Sequence, residues 1–109
     1  MKIHDYTTQG GKNLIKDYIS TRPMDERKEI YKIRFKIILN GLSAFQELNV
    51  RQLRGKLYEI KYIGNRIMYV IKDGENVYFL HACMKQKGKT EKYEIETAIQ
   101  RAKESDVQI

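Results

Sequence analysis

At 109 residues the chain is long enough for one small hydrophobic core and too short for a second, so one domain spanning residues 1–109 is expected. Its 21 Lys and Arg against 14 Asp and Glu leave a formal net charge of +7, which favours a polyanion or an acidic protein as partner. No apolar run approaches the ~20 residues that cross a bilayer, and no apolar segment follows the basic start as a secretory leader requires. The one cysteine, Cys83, cannot form an internal disulfide. A soluble protein of the reducing cytoplasm, without a membrane partner, is expected.

In chain order, residues 2–6 (KIHDY) suit a short strand, and residues 8–11 break it. Leu14, Ile15, Tyr18 and Ile19 then share one face of a short helix. Ser20, Thr21 and Pro23 end that helix and open the next, because Pro is accepted in a first turn and Asp25 and Glu26 favour the positive end of the helix dipole. Ile30, Ile33, Ile37 and Ile38 mark a helical stripe over residues 24–39, and Asn40-Gly41 is a natural stop. Residues 41–50 lead onward with Leu42, Phe45 and Leu48 partly buried.

Residues 54–101 carry the strongest pattern. Runs 57–63, 66–72 and 77–83 are rich in β-branched and aromatic residues. Gly64-Asn65 and Asp73-Gly74 divide them, and both pairs tolerate positive φ, so three antiparallel strands in a meander are expected. A loop with Lys85, Lys87 and Lys89 and no acid follows. The last helix begins at Thr90, a good N-cap, supported by Glu91; Ile95, Ala98, Ile99 and Ala102 form its small apolar face, which suits packing on the sheet or on another chain. Residues 105–109 read as a frayed tail.

Alternation puts Tyr58, Ile60, Tyr62, Ile67, Tyr69 and Ile71 in the core beneath the two N-terminal helices. Glu59, Lys61, Arg66, Met68, Val70 and Lys72 then form the opposite face, expected to be concave and basic, with the 85–89 loop and Tyr93 at its rim. Residues 51–72 hold six basic groups (Arg51, Arg54, Lys56, Lys61, Arg66 and Lys72) and one acid, Glu59. Such a surface suits a phosphate backbone. His81 alternates with Val77, Phe79 and Cys83, which favours a core or sheet-edge place over catalysis. His4 and Cys83 lack partners at metal-ligand spacing, so no zinc site is expected. Neither a Ser-His-Asp or Cys-His arrangement nor a Gly-rich phosphate loop is present. The expected fold class is α+β, with N-terminal helices on a small, mainly antiparallel sheet made of the meander and an N-terminal strand, closed by a C-terminal helix.

Five short motifs in order carry a resemblance: Leu53-Arg54-Gly55; Leu57-Tyr58-Glu59-Ile60-Lys61; Asn65-Arg66-Ile67-Met68-Tyr69; Leu80-His81-Ala82-Cys83-Met84-Lys85-Gln86-Lys87; and Lys89-Thr90 with Glu94-Ile95-Glu96-Thr97-Ala98. Together they resemble the RelE/ParE toxin superfamily, and more narrowly its phage-derived, HigB-like branch. The likeness covers nearly all of residues 53–104 and departs from the branch at Tyr58, Cys83, Gln86 and Glu91, where Trp, Phe, Lys and Pro are usual.

The resemblance implies a type II toxin that cuts messenger RNA on the ribosome without metal or cofactor and is neutralised by a cognate antitoxin. It would reach operator DNA only through the antitoxin complex. In that chemistry the ribose 2′-hydroxyl attacks the adjacent phosphorus, so the site must remove a proton, stabilise the phosphorane and protonate the leaving 5′-oxygen. Arg66 matches the phosphate-stabilising arginine, and its guanidinium can hold two phosphate oxygens. Lys85 and Lys87 match the basic residues at the end of the last strand, Tyr93 a tyrosine used for stacking or proton transfer, and Lys61 is the nearest candidate base or simply another phosphate contact. Arg54, Lys56, Lys72, Lys89 and His81 complete the RNA-facing set. Two other classes stay open: a ParE-like poison of DNA gyrase, and an inactive module that binds nucleic acid or the antitoxin. The antitoxin is expected on the basic face or on the apolar strip of an N-terminal helix.

Overall fold

A computed structural model describes residues 1–85 and 92–109. Helices and a five-stranded mixed sheet alternate along the chain as β1 (Lys2–Asp5), α1 (Leu14–Ser20), α2 (Met24–Asn40), a 3-10 segment (Gly41–Glu47), β2 (Val50–Arg54), β3 (Leu57–Tyr62), β4 (Asn65–Lys72), β5 (Asn76–Met84) and α3 (Lys92–Glu104). The spatial order is β1-β5-β4-β3-β2. β2 to β5 pair antiparallel in sequence, and β1 lies parallel to β5 at the far edge. The α+β class is therefore as expected, with five strands rather than four. The additional one, β2 (VRQLR), is a short charged edge strand, and edges of that kind lack the apolar alternation that announces a strand.

Local chemistry accounts for the boundaries. Asn13 caps α1 by accepting a hydrogen bond from the Lys16 amide at 2.9 Å, and α2 stops at Gly41 with φ of 63°. The first hairpin turns at Ile63-Gly64, one residue earlier than expected, with φ of 42° and 77°. Asn65 belongs to β4 because its buried amide is a bonding hub: Nδ2 donates to the Tyr62 carbonyl and to Glu26 Oε1, and Oδ1 accepts from Tyr18.

The sheet is covered on both faces. On one, Ile15 and Ile19 of α1, Ile30 and Ile37 of α2 and Phe45 pack on Ile60, Ile67, Tyr69, Val77 and Phe79. On the other, Ala98 and Ala102 of α3 and Val107 pack on Leu57, Met68, Val70 and Leu80. This corrects the expectation of an open basic face. Met68 and Val70 belong to the non-core series yet are apolar, and burying them under the small-residue face of α3 satisfies both elements.

Two further corrections have local causes. A β-bulge between Met68 and Tyr69 pairs Met68 with His81 and Tyr69 with Phe79, leaving Leu80 as an extra residue. Strict alternation fails there, so His81 and Cys83 face α3, opposite to Val77 and Phe79. The tail is not frayed at Val107, which is buried; its amide donates to the Ala102 carbonyl at 2.8 Å, past a left-handed Asp106 that ends α3.

Candidate active site

One end of the α3-side face is polar where the other is apolar. Cross-strand partners share a face, and the registers Arg51↔Glu59, Lys61↔Arg66, Arg66↔Cys83 and Met68↔His81 put Arg51, Glu59, Lys61, Arg66, Cys83 and His81 on that one surface. The first turn of α3 adds Glu94 to it.

Glu59 is the anionic centre. It is fully buried, and its Oε1 accepts from Arg66 Nη1 at 2.5 Å and from Arg51 Nη2 at 2.9 Å. Arg66 is itself only 2% exposed, so it stands beneath the surface rather than on an open face. A buried carboxylate without cations would be strongly disfavoured, and two guanidinium groups supply the compensation.

His81 is the second centre. Arg101 Nη1 donates to Nδ1 at 3.1 Å, which leaves Nε2 to carry the proton and donate it to Glu94 Oε1 at 2.9 Å. Burial pushes the imidazole below its ordinary pKa and outweighs the hydrogen bond to Glu94, which pulls the other way, so this contact joins a neutral ring to a carboxylate. Arg101 is fixed in turn by the Leu80 carbonyl at 3.1 Å and by the Tyr6 ring, 4.7 Å from its guanidinium carbon. Burial, and then a hydrogen bond with Glu94, raises the Cys83 thiol well above its usual range, so it stays protonated and a poor nucleophile.

His81, Cys83 and Glu94 bring one ligand-type atom each to within 4.8 Å of one another, a juxtaposition that sequence spacing did not show. Both ring nitrogens of His81 are engaged by protein groups, and Arg66 and Arg101 stand beside the trio. That surrounding opposes a divalent cation and suits a hydrogen-bonded network.

The expected site residues fall into separate groups. Lys61 is partly exposed beside Arg66, Lys85 is exposed at the end of β5 with its amide bonded to the Gly64 carbonyl, and Tyr93 is exposed in the first turn of α3. These three, with Arg66 and His81, belong to the polar end of the sheet. Arg54, Lys56 and Lys72 are exposed at the opposite end, four or more residues along the strands from Lys61 or Arg66, roughly 13 Å or more at strand rise. Lys87 and Lys89, with Gln86, Thr90 and Glu91, lie outside the described residues.

Sequence reasoning missed Glu59, Arg51, Glu94 and Arg101 as members of the site. Two signals pointed to them. Glu59 is the lone acid among the six bases of residues 51–72, on the face turned away from the helices, and Glu94 and Arg101 flank the apolar stripe of α3 two turns apart.

A family model described as Phage derived protein Gp49-like (DUF891) matches residues 17–103, from within α1 to the last turn of α3, and so includes every element of the polar cluster. The chain belongs to the Gp49-like family. This family is RelE-like and is associated with the toxins of toxin–antitoxin systems, which implies an antitoxin as partner. No curated protein matches the chain. Among the described residues of this Gp49-like protein, no helix is long and apolar enough to cross a membrane.

Proposed function

We propose that this Gp49-like protein is a type II toxin of the HigB-like branch, a metal-independent endoribonuclease that cuts messenger RNA on the ribosome. Residues 1–109 act as one toxin domain in the cytoplasm, silenced by a cognate antitoxin and brought to operator DNA only in complex with it. The observation that carries this reading is the gathering of cations and a tyrosine at one end of the sheet: Arg66 beside Lys61 on neighbouring strands, with Lys85 at the end of β5 and Tyr93 in the first turn of α3.

In this reading Arg66 stabilises the phosphorane, and a guanidinium fork meets two of its oxygens. A substrate phosphate competes with Glu59 for that guanidinium. Arg51 remains on Glu59 during the exchange, so the buried carboxylate keeps a counter-charge. Lys61, the nearest candidate base, takes the proton of the attacking 2′-hydroxyl, Tyr93 stacks on a base or gives a proton to the leaving 5′-oxygen, and Lys85, Lys87 and Lys89 draw the RNA backbone in. His81, with both ring nitrogens already bonded, orients Glu94 and the start of α3 rather than acting as the base.

The test is induced expression of the wild type beside Arg66→Lys and Lys61→Ala, each shown to be folded, with growth followed and transcript ends mapped. In-frame cuts in the wild type, diminished in both variants, are expected. Growth arrest with uncut transcripts and damaged DNA would move the reading to a gyrase poison. Normal growth with soluble protein would leave a binding module.

A further inference from the structure

We propose that Ile63, at the tip of the turn between β3 and β4, packs against the face of a nucleobase in a single strand of RNA whose phosphate is held by the cations beside it. Among the described residues, three that are not glycine have positive φ: Ile63 at 42°, Asp73 at 53° and Asp106 at 58°. Asp visits this left-handed region readily because its short polar side chain bonds locally, whereas a side chain branched at Cβ is an outlier there. A tight turn with positive φ at both central positions prefers Asn or Gly at each, and Ile63 occupies the first, before Gly64. Burial does not offset the strain, because the side chain is 66% exposed.

The surrounding contacts hold the turn in this conformation. Asn65 is buried, and its Nδ2 donates to the carbonyls of Tyr62 at 3.0 Å and Ile63 at 3.3 Å and to Glu26 Oε1 at 2.9 Å. Glu26 is fixed in turn by Arg22 Nε at 3.2 Å, and the Lys85 amide donates to the Gly64 carbonyl. Unfavourable backbone that persists because its neighbours over-determine it collects at ligand clamps and active sites.

The neighbours identify the ligand. The turn joins Lys61 to its cross-strand partner Arg66, and Lys85 lies beside Gly64. Met84, which pairs with Asn65 and is half exposed, adds a second apolar side chain at this end, its Sδ accepting from Arg22 Nη1 at 3.2 Å. Cations for phosphates next to apolar side chains for planar faces fit a single strand of RNA, whose bases are free to leave the stack. A duplex keeps its base faces inside the stack and would meet the cations alone. The proposal rests on the RNA-binding part of the reading above and adds a base-contacting residue to it, whether or not the strand is cut.

The probes are two fluorescent pentamers, one of 2′-O-methyl adenosine and one of abasic sugars with the same number of phosphates, titrated with the full chain by anisotropy. Neither offers a 2′-hydroxyl for attack, so binding is read without cleavage. The wild type is expected to bind the adenosine strand at least about fivefold more tightly than the abasic one. Ile63→Asn suits the left-handed turn and loses the apolar contact. It is expected to raise the melting midpoint by about 4 °C and to weaken the adenosine strand about fivefold, leaving the abasic strand within about twofold. Ile63→Leu keeps an apolar side chain and is expected to hold the adenosine affinity within about twofold, whereas Lys61→Ala weakens both strands alike. A lower melting midpoint in Ile63→Asn would make the side chain structural and overturn the proposal. So would failure of the wild type to bind either strand, equal affinity for the two, or equal loss of both in Ile63→Asn. Adenosine affinity unchanged by Ile63→Asn also overturns it, and loss of self-association in that variant would assign the turn to a second copy of the chain. Base-dependent binding through Ile63 by a protein that leaves messenger RNA intact would sink the nuclease reading alone, whereas in-frame cuts of equal yield in Ile63→Asn would sink this one alone.

Discussion

Glu59 is the residue on which the candidate site depends most for its stability, because it binds both Arg51 and Arg66 while wholly buried. Glu59→Gln keeps the shape and removes the charge, so that the buried Arg66 faces a neutral amide in place of a carboxylate. A loss of about 3 kcal/mol is expected, read as a lower midpoint in urea unfolding. His81 makes a pH-dependent contribution whose sign follows from its lowered pKa. Burial favours the neutral ring, so as pH falls the unfolded chain takes up the proton first, near the ordinary value of about 6.5. Stability from this ring is complete above that value and is lost as pH drops from there to the lowered folded pKa, below which both states are protonated and the loss levels off. Unfolding titrations at several pH values should show this slope in the wild type and a flatter one in His81→Gln. An unchanged slope would show that another group is responsible.

At the scale of elements, α3 is positioned by its small residues. Ala98 and Ala102 are essentially buried against Met68, Val70 and Leu80, so the helix axis approaches the sheet closely. Ala98→Leu overfills that seam and is expected to cost about 2 kcal/mol in a thermal melt, displacing Glu94 from His81 as the helix moves outward. The helices and the meander were legible in the sequence because α1, β3 and β4 repeat their apolar residues at the periods of 3.6 and 2. Three features were not. β2 is a polar edge strand, the bulge at Leu80 shifts the alternation by one, and the pairing of β1 with β5 joins residues more than 70 positions apart. The site was legible in part for the same reason. Lys61 and Arg66 are on neighbouring strands near one turn, so local patterning joins them, whereas Glu94 and Arg101 meet His81 only through the docking of α3, which no local pattern encodes. The face carrying Arg66 read as open because strand alternation does not say what covers a face.

For the whole molecule, the sheet separates two surfaces: a polar cluster at one end under α3, and the helix pair of α1 and α2 on the other face. The distribution of charge on the α3 side makes the ends testable against each other. Lys61→Ala is expected to lower RNA cleavage about tenfold or more with little change in melting, whereas Lys56→Ala or Lys72→Ala, at the far end of the strands, should leave it within about twofold. The central claim is that the polar end of the sheet cleaves messenger RNA by 2′-hydroxyl attack. Its most direct test adds the purified protein to a reconstituted translation system programmed with one defined messenger, with and without ribosomes, and determines the chemistry of any new 5′ ends. Cleavage only when ribosomes are present, leaving 5′-hydroxyl ends and falling sharply with Arg66→Lys, is the expected result. An intact messenger with folded protein and active ribosomes, or new ends bearing 5′-phosphate, would contradict it.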